Sequence, residues 1–231
     1  RHSKQLCDEG MSVELHGYQW HAFIDWREIV DTDGSWGDLA WRLEGRGVDS
    51  LDYERRAREL APVLAAFRSY FSVDHLKTLL DLPETFATET QVSGMLGASF
   101  ADFLRAFSAR VSIHDVADDL LKPCAHSILY WRRIKMSQPK RNPVGPDAAD
   151  DPGPMRWAVS AAYALLKPIS VALARGGDLH DGAGWLDAWL MAREVTSVLA
   201  NVLGDSWRGE QAGRAVRVAL RFAEHGLHRV D

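Results

Sequence analysis

The sequence is poor in the features that most directly announce chemistry. It has two cysteines in 231 residues, Cys7 and Cys124, far apart and without metal-ligand spacing. That argues against a disulfide framework and against a zinc site, and fits two thiols in a reducing cytoplasm. No run approaches the roughly 18 consecutive apolar residues of a membrane-spanning helix, because charges or glycines interrupt every apolar segment. A soluble protein with no membrane contact is expected. The amino terminus, RHSKQLCDEG, is basic at first but has no apolar core behind it, so it does not read as a signal peptide. It also lacks an initiator Met, which fits an internal fragment or a trimmed chain.

An excess of basic charge is missing as well. The formal net charge is −5, which gives no general attraction to nucleic acid or anionic membranes. Nucleophile motifs are absent: there is no Gly-x-Ser-x-Gly, and neither cysteine sits in a family-type signature. Gly45-Arg46-Gly47 and Gly182-Ala183-Gly184 lack the flanking pattern and the lysine of a phosphate loop. No cofactor is implied by any of these residues.

What is present is a globular composition, with 46% hydrophobic residues, enough to bury a substantial core. Met11 to Glu28 is the stretch that reads as sheet. Met11, Val13 and Leu15 alternate with Ser12 and Glu14; after His16-Gly17, Tyr18, Trp20, Ala22 and Ile24 alternate with Gln19, His21 and Asp25, Phe23 being the exception. The period of two, broken at a glycine, predicts a β-hairpin. A lone two-stranded ribbon is marginal in water, and nothing later offers a third strand.

The rest of the chain has helical spacing. Trp36, Leu39, Ala40 and Leu43 predict a short helix ended by Gly45 and Gly47, and Ser50 is placed to cap the next one. Tyr53, Ala57, Leu60, Leu64, Phe67 and Phe71 continue the apolar seam, with a kink or restart expected at Pro62. Phe86 to Phe107 and Ile113 to Trp131 predict two further helices that pack on each other, Pro123 marking a kink. Pro139, Pro143, Pro146, Pro152 and Pro154 mark residues 137–155 as a linker or loop. A helix over Trp157–Leu173 with Pro168 as a kink, another from Leu186 to Val202 stopped by Gly204, and a last one from about Glu210 to His225 capped by Gly226 complete the reading. The fold class is therefore mainly α: an N-terminal β-hairpin over residues 1–30, a helical region over 31–136, the Pro-rich segment over 137–155, and a helical region over 156–231 packing on the first as a multi-helix bundle.

Each candidate site has a plainer structural reading. Asp25 and Glu28 are the densest carboxylate pair near aromatics, and glycosidases use two carboxyls, but capping or ion pairing is the simpler role at the end of a strand. His225 with His228, and His16 with His21, lack a third ligand, so no metal site is assigned. Arg214, Arg217 and Arg221 form a basic stripe suited to a helix-turn-helix reader, against the acidity of the chain as a whole. Trp20, Trp26, Trp36 and Trp41 cluster early among nine tryptophans; indoles stack on sugar rings, although core packing is their commoner use.

VELHGYQWHAFIDWREI resembles the closing strands of the carboxy-terminal β-sandwich in α-amylase-type enzymes of glycoside hydrolase family 13. The continuation resembles a bacterial subgroup of long amylase-like proteins: a D-[WF]-R-E step, the turn Gly45-Arg46-Gly47-Val48-Asp49-Ser50-Leu51, and a helix with Leu60-Ala61-Pro62. The similarity covers roughly Gly10 to Phe71. It implies that the hairpin is the remnant of a β-sandwich and that a parent enzyme acting on α-glucans carries its catalytic residues in an upstream barrel. No catalytic residue transfers to this chain, and its substrate-binding residues stay unassigned. The leading expectation is a non-catalytic C-terminal accessory region whose partner is the upstream catalytic domain, located in the cytoplasm. A stand-alone helical interaction or glucan-binding module, with an α-glucan as ligand, is the alternative, and a nucleic-acid-binding helical protein ranks last.

Overall fold

The computed structural model describes residues 3–20, 22, 28–82, 88–111, 117–137, 153–175 and 183–227. Among them the regular structure is entirely helical, and the chain divides into two compact units, residues 1–59 and 60–231. The division falls at 59/60, where a helix ends at Glu59 and another starts at Ala61. Pro62 lies in the first turn of that second helix, where a missing amide costs nothing because first-turn amides have no intrahelical partner. Of the two outcomes expected at this proline, the restart is the one observed.

The first unit contains α1 (Ser3–Glu9), α2 (Ser35–Leu43) and α3 (Leu51–Glu59). The expected β-hairpin does not form: among the described residues there is no strand. A turn does sit where the glycine predicted it, with the Gln19 amide donating to the His16 carbonyl at 2.9 Å. The positive φ of 66° falls on Tyr18 rather than on Gly17. Residues 11–16 carry no ladder, and Met11, Val13 and Leu15 are all exposed. The physical reason is that alternation alone does not make a strand. Without a packed face, the few hydrogen bonds of a ribbon do not offset the entropy of ordering it. The second arm is only partly in view, since residues 21 and 23–27, with Phe23, Ile24 and Asp25 among them, lie outside the described residues.

Helix α2 is held at its start by two aspartates. Asp31 accepts from the Trp36 amide at 3.2 Å and the Gly37 amide at 2.7 Å, while Asp33 accepts from the Ser35 amide at 3.0 Å. These are amides that a helix start leaves unpaired. Hydrogen bonding by Ser35 holds the Asp33 carboxyl below its ordinary range. At the other end the left-handed cap falls on Glu44 (φ 46°) and Gly45 (φ 82°), one residue ahead of the expected start. Ser50 caps α3 as the sequence suggested, its hydroxyl accepting from the Tyr53 amide at 3.2 Å. Arg55 lies over the Trp36 ring, Arg58 pairs with Asp38, and Leu39 is the buried side chain of this unit among the described residues.

The second unit contains α4 (Ala61–Tyr70), α5 (Val73–Leu80), α6 (Glu89–Ser108), α7 (Ala117–Ser137), α8 (Gly153–Arg175), α9 (Gly184–Ala188), α10 (Ala192–Leu203) and α11 (Ser206–Leu227). Helix α4 packs on α6, α6 on α7, α7 on α8, and α8 on α5, α10 and α11. From Leu60 on, the seam read at steps of three and four becomes core: Leu64, Phe67 and Phe71, joined by Val63 and Tyr70, share one cluster with Leu96, Phe100, Phe103 and Phe107. Ring centroids lie 5.8 Å apart for Phe67 and Phe103, 4.8 Å for Tyr70 and Phe100, and 4.2 Å for Phe107 and Trp189. Such tilted pairs add to the gain from burial alone. The Tyr70 hydroxyl, fully buried, donates to the Leu165 carbonyl at 2.8 Å, and Trp185 donates to Ser170 at 2.9 Å.

Several boundaries differ from the sequence expectation. Thr88 and Gln91 form a reciprocal capping box at the start of α6, so the helix begins three residues after Phe86, at Glu89. Pro123 and Pro168 lie inside α7 and α8, which run on through them. The helix expected from Leu186 to Val202 is broken into α9 and α10. Leu190 adopts a φ of 57°, and the Met191 amide donates to the Leu186 carbonyl at 2.7 Å. This break lets Trp185, Leu186 and Met191 be buried together with Val195 and Leu199, a set that no single helical face presents. Gly204 ends α10 in the left-handed conformation, as expected. Helix α11 starts four residues earlier than expected, at Ser206, because Asp205 caps it by accepting from the Arg208 amide at 2.9 Å. It runs past Gly226, the expected cap, to Leu227.

Of the Pro-rich stretch, residues 138–152 lie outside the described residues, and Pro154 falls in the first turn of α8. Although interrupted by charges, α8 is long and apolar enough to cross a bilayer, the one such helix among the described residues. Most of it is buried inside the second unit, as expected of a helix surrounded by others in a core.

Candidate functional site

The second unit carries a groove between α5, α7 and α8, enclosing about 370 Å³ of space open to solvent. The part of it that is sheltered amounts to about 30 Å³, room for about one or two waters and far below the range of small-molecule sites. Leu79 and Leu80 come from the end of α5, Ile128, Trp131, Arg132 and Lys135 from α7, and Trp157, Ser160 and Ala161 from α8. The spacings explain the lining. Residues three and four apart share a helix face, so 128, 131, 132 and 135 line one wall while 157, 160 and 161 line the other.

Polar groups in the groove are few. The Lys135 ammonium donates to the Leu80 carbonyl at 3.0 Å, closing the exposed end of α5, where a cation is favoured by the helix dipole. Ser160 spends its hydroxyl proton on the Arg156 carbonyl at 2.9 Å. Trp131 keeps 38% of its surface exposed, and Trp157 is half-buried. Among the described residues no histidine, cysteine or carboxylate lines the groove. The described lining residues include no pair placed for proton transfer or nucleophilic attack.

The residues singled out from the sequence do not converge here. Glu28 is exposed, and its partner Asp25 lies outside the described residues. His16 is exposed; His21 and His228 lie outside the described residues, as does the His225 side chain. Among the described residues no group of three or more metal-ligating side chains comes together. Cys7 is exposed and Cys124 buried, both as free thiols. Burial pushes the Cys124 thiol up to about 12, which makes it inert as a nucleophile.

The basic stripe on α11 is largely occupied. Arg217 makes a two-pronged ion pair with Asp187, at 2.7 and 2.9 Å, and Arg214 faces Glu210 at 3.6 Å. Of the early tryptophans, Trp20 and Trp41 are 81% and 75% exposed, Trp36 is half-buried under Arg55, and Trp26 lies outside the described residues. Trp131 and Trp157 were not singled out, although each sits in a readable helical pattern. Their shared use depends on α7 and α8 lying side by side, which spacing within one helix does not reveal.

No protein-family model, no curated protein and no solved structure matches this chain.

Proposed function

We propose that the chain is a non-catalytic accessory region of an α-amylase-type glycosidase, a helical module whose amino-terminal segment pairs with a sheet of the parent enzyme in the cytoplasm. The observation that carries this reading is the state of residues 11–20. Met11, Val13 and Leu15 alternate as a strand would, Tyr18 is fully exposed, Trp20 is 81% exposed, and among the described residues the hydrogen bonds of the stretch are those of one turn between His16 and Gln19. Apolar side chains at strand spacing with no covering face are what a strand looks like when its sheet is elsewhere. The second unit is a self-contained helical core and supplies no sheet among its described residues.

The test is direct. Incubated with starch or maltodextrins, this chain releases no reducing sugar, while the coding sequence upstream of Arg1 encodes a (β/α)₈ barrel with the family's catalytic carboxylates. Turnover by the chain itself refutes the non-catalytic role, and an upstream sequence without a barrel refutes the parentage.

A second reading, a glucan-contacting surface, is favoured by the exposure of Trp20 and Trp41, since a free indole face can stack on a sugar ring. It requires that maltooligosaccharides shift the tryptophan emission and that Trp20→Ala or Trp41→Ala remove the shift. With Arg217 and Arg214 engaged by carboxylates, the nucleic-acid reading gains no support from α11.

A further inference from the structure

We draw no further inference here: the strongest candidate, the exposed face of α11 that carries Trp207, Val218 and Phe222, carries nothing, because nothing in the structure shows what covers it.

Discussion

A close helix contact in the second unit gives a sharp test of the packing. Helices α10 and α11 form an antiparallel pair joined at Gly204-Asp205, and Gly209 of α11 is buried against the backbone of Ala200 on α10. A Cβ added at Gly209 would stand 2.6 Å from the Ala200 Cα and Cβ and 2.7 Å from its amide nitrogen. Ordinary contact begins at 3.4 Å, so the two backbones must part by nearly an ångström. Backbone atoms have no rotamer to change. Overpacking of this kind costs about 1–3 kcal/mol, and the rigid neighbour puts Gly209→Ala at the upper end. Alanine recovers about 1 kcal/mol of helix propensity, leaving a net loss of about 2 kcal/mol. For a unit of this size that lowers Tm by about 4–8 °C. Gly94→Ala in α6 is the control. Nothing lies within 4 Å of its added Cβ, so the propensity gain stands alone and stability rises by about 0.5–1 kcal/mol. Urea unfolding followed by far-UV circular dichroism compares the two. A Gly209→Ala protein as stable as wild type refutes the close approach of α10 and α11.

Three other outcomes follow from the same structure. The Cys124 thiol is raised to about 12 in the folded state, against an ordinary value near 8.5; the unfolded chain therefore loses its proton first, and this contribution to stability is intact below about pH 8.5 and falls by about 1.4 kcal/mol per pH unit above it. Urea midpoints at pH 8 and pH 10.5 should fall less in Cys124→Ala than in wild type, and identical slopes would contradict the burial of this thiol. Tyr70→Phe removes the buried bond to the Leu165 carbonyl and should cost about 0.5–1.5 kcal/mol, measured by the same unfolding curves; no loss would show that the hydroxyl finds no partner there. Thr88→Ala breaks the capping box of α6, with an expected loss of about 1 kcal/mol. Hydrogen exchange concentrated in the first turn of α6 checks that the loss is local, and unchanged exchange would mean that the cap contributes nothing.

The helical class was legible because apolar residues at steps of three and four specify which face is buried, whatever they are buried against. The seam Tyr53, Ala57, Leu60, Leu64, Phe67 and Phe71 is the case in point: the last four are buried, while Tyr53 and Ala57, in the first unit, are only half-buried. Local signals held where their chemistry is local: the Ser50 hydroxyl reaches three residues along its own chain, and Gly204 adopts the left-handed conformation by itself. The groove was not legible, because Leu79, Trp131 and Trp157 are far apart in sequence and their meeting depends on how α5, α7 and α8 pack.

The sequence by itself determined a mainly helical protein and much of the buried face of its helices, since periodicity and capping act over one or two turns. Tertiary structure decided the rest. It left residues 11–16 unpaired, because alternation needs a neighbouring strand before it becomes a sheet. It broke the segment from Leu186 to Val202 at Leu190, because burying Trp185 and Met191 together outweighs one continuous helix. And it set two indoles and two cations around one groove, a juxtaposition made by helices that no local rule brings side by side.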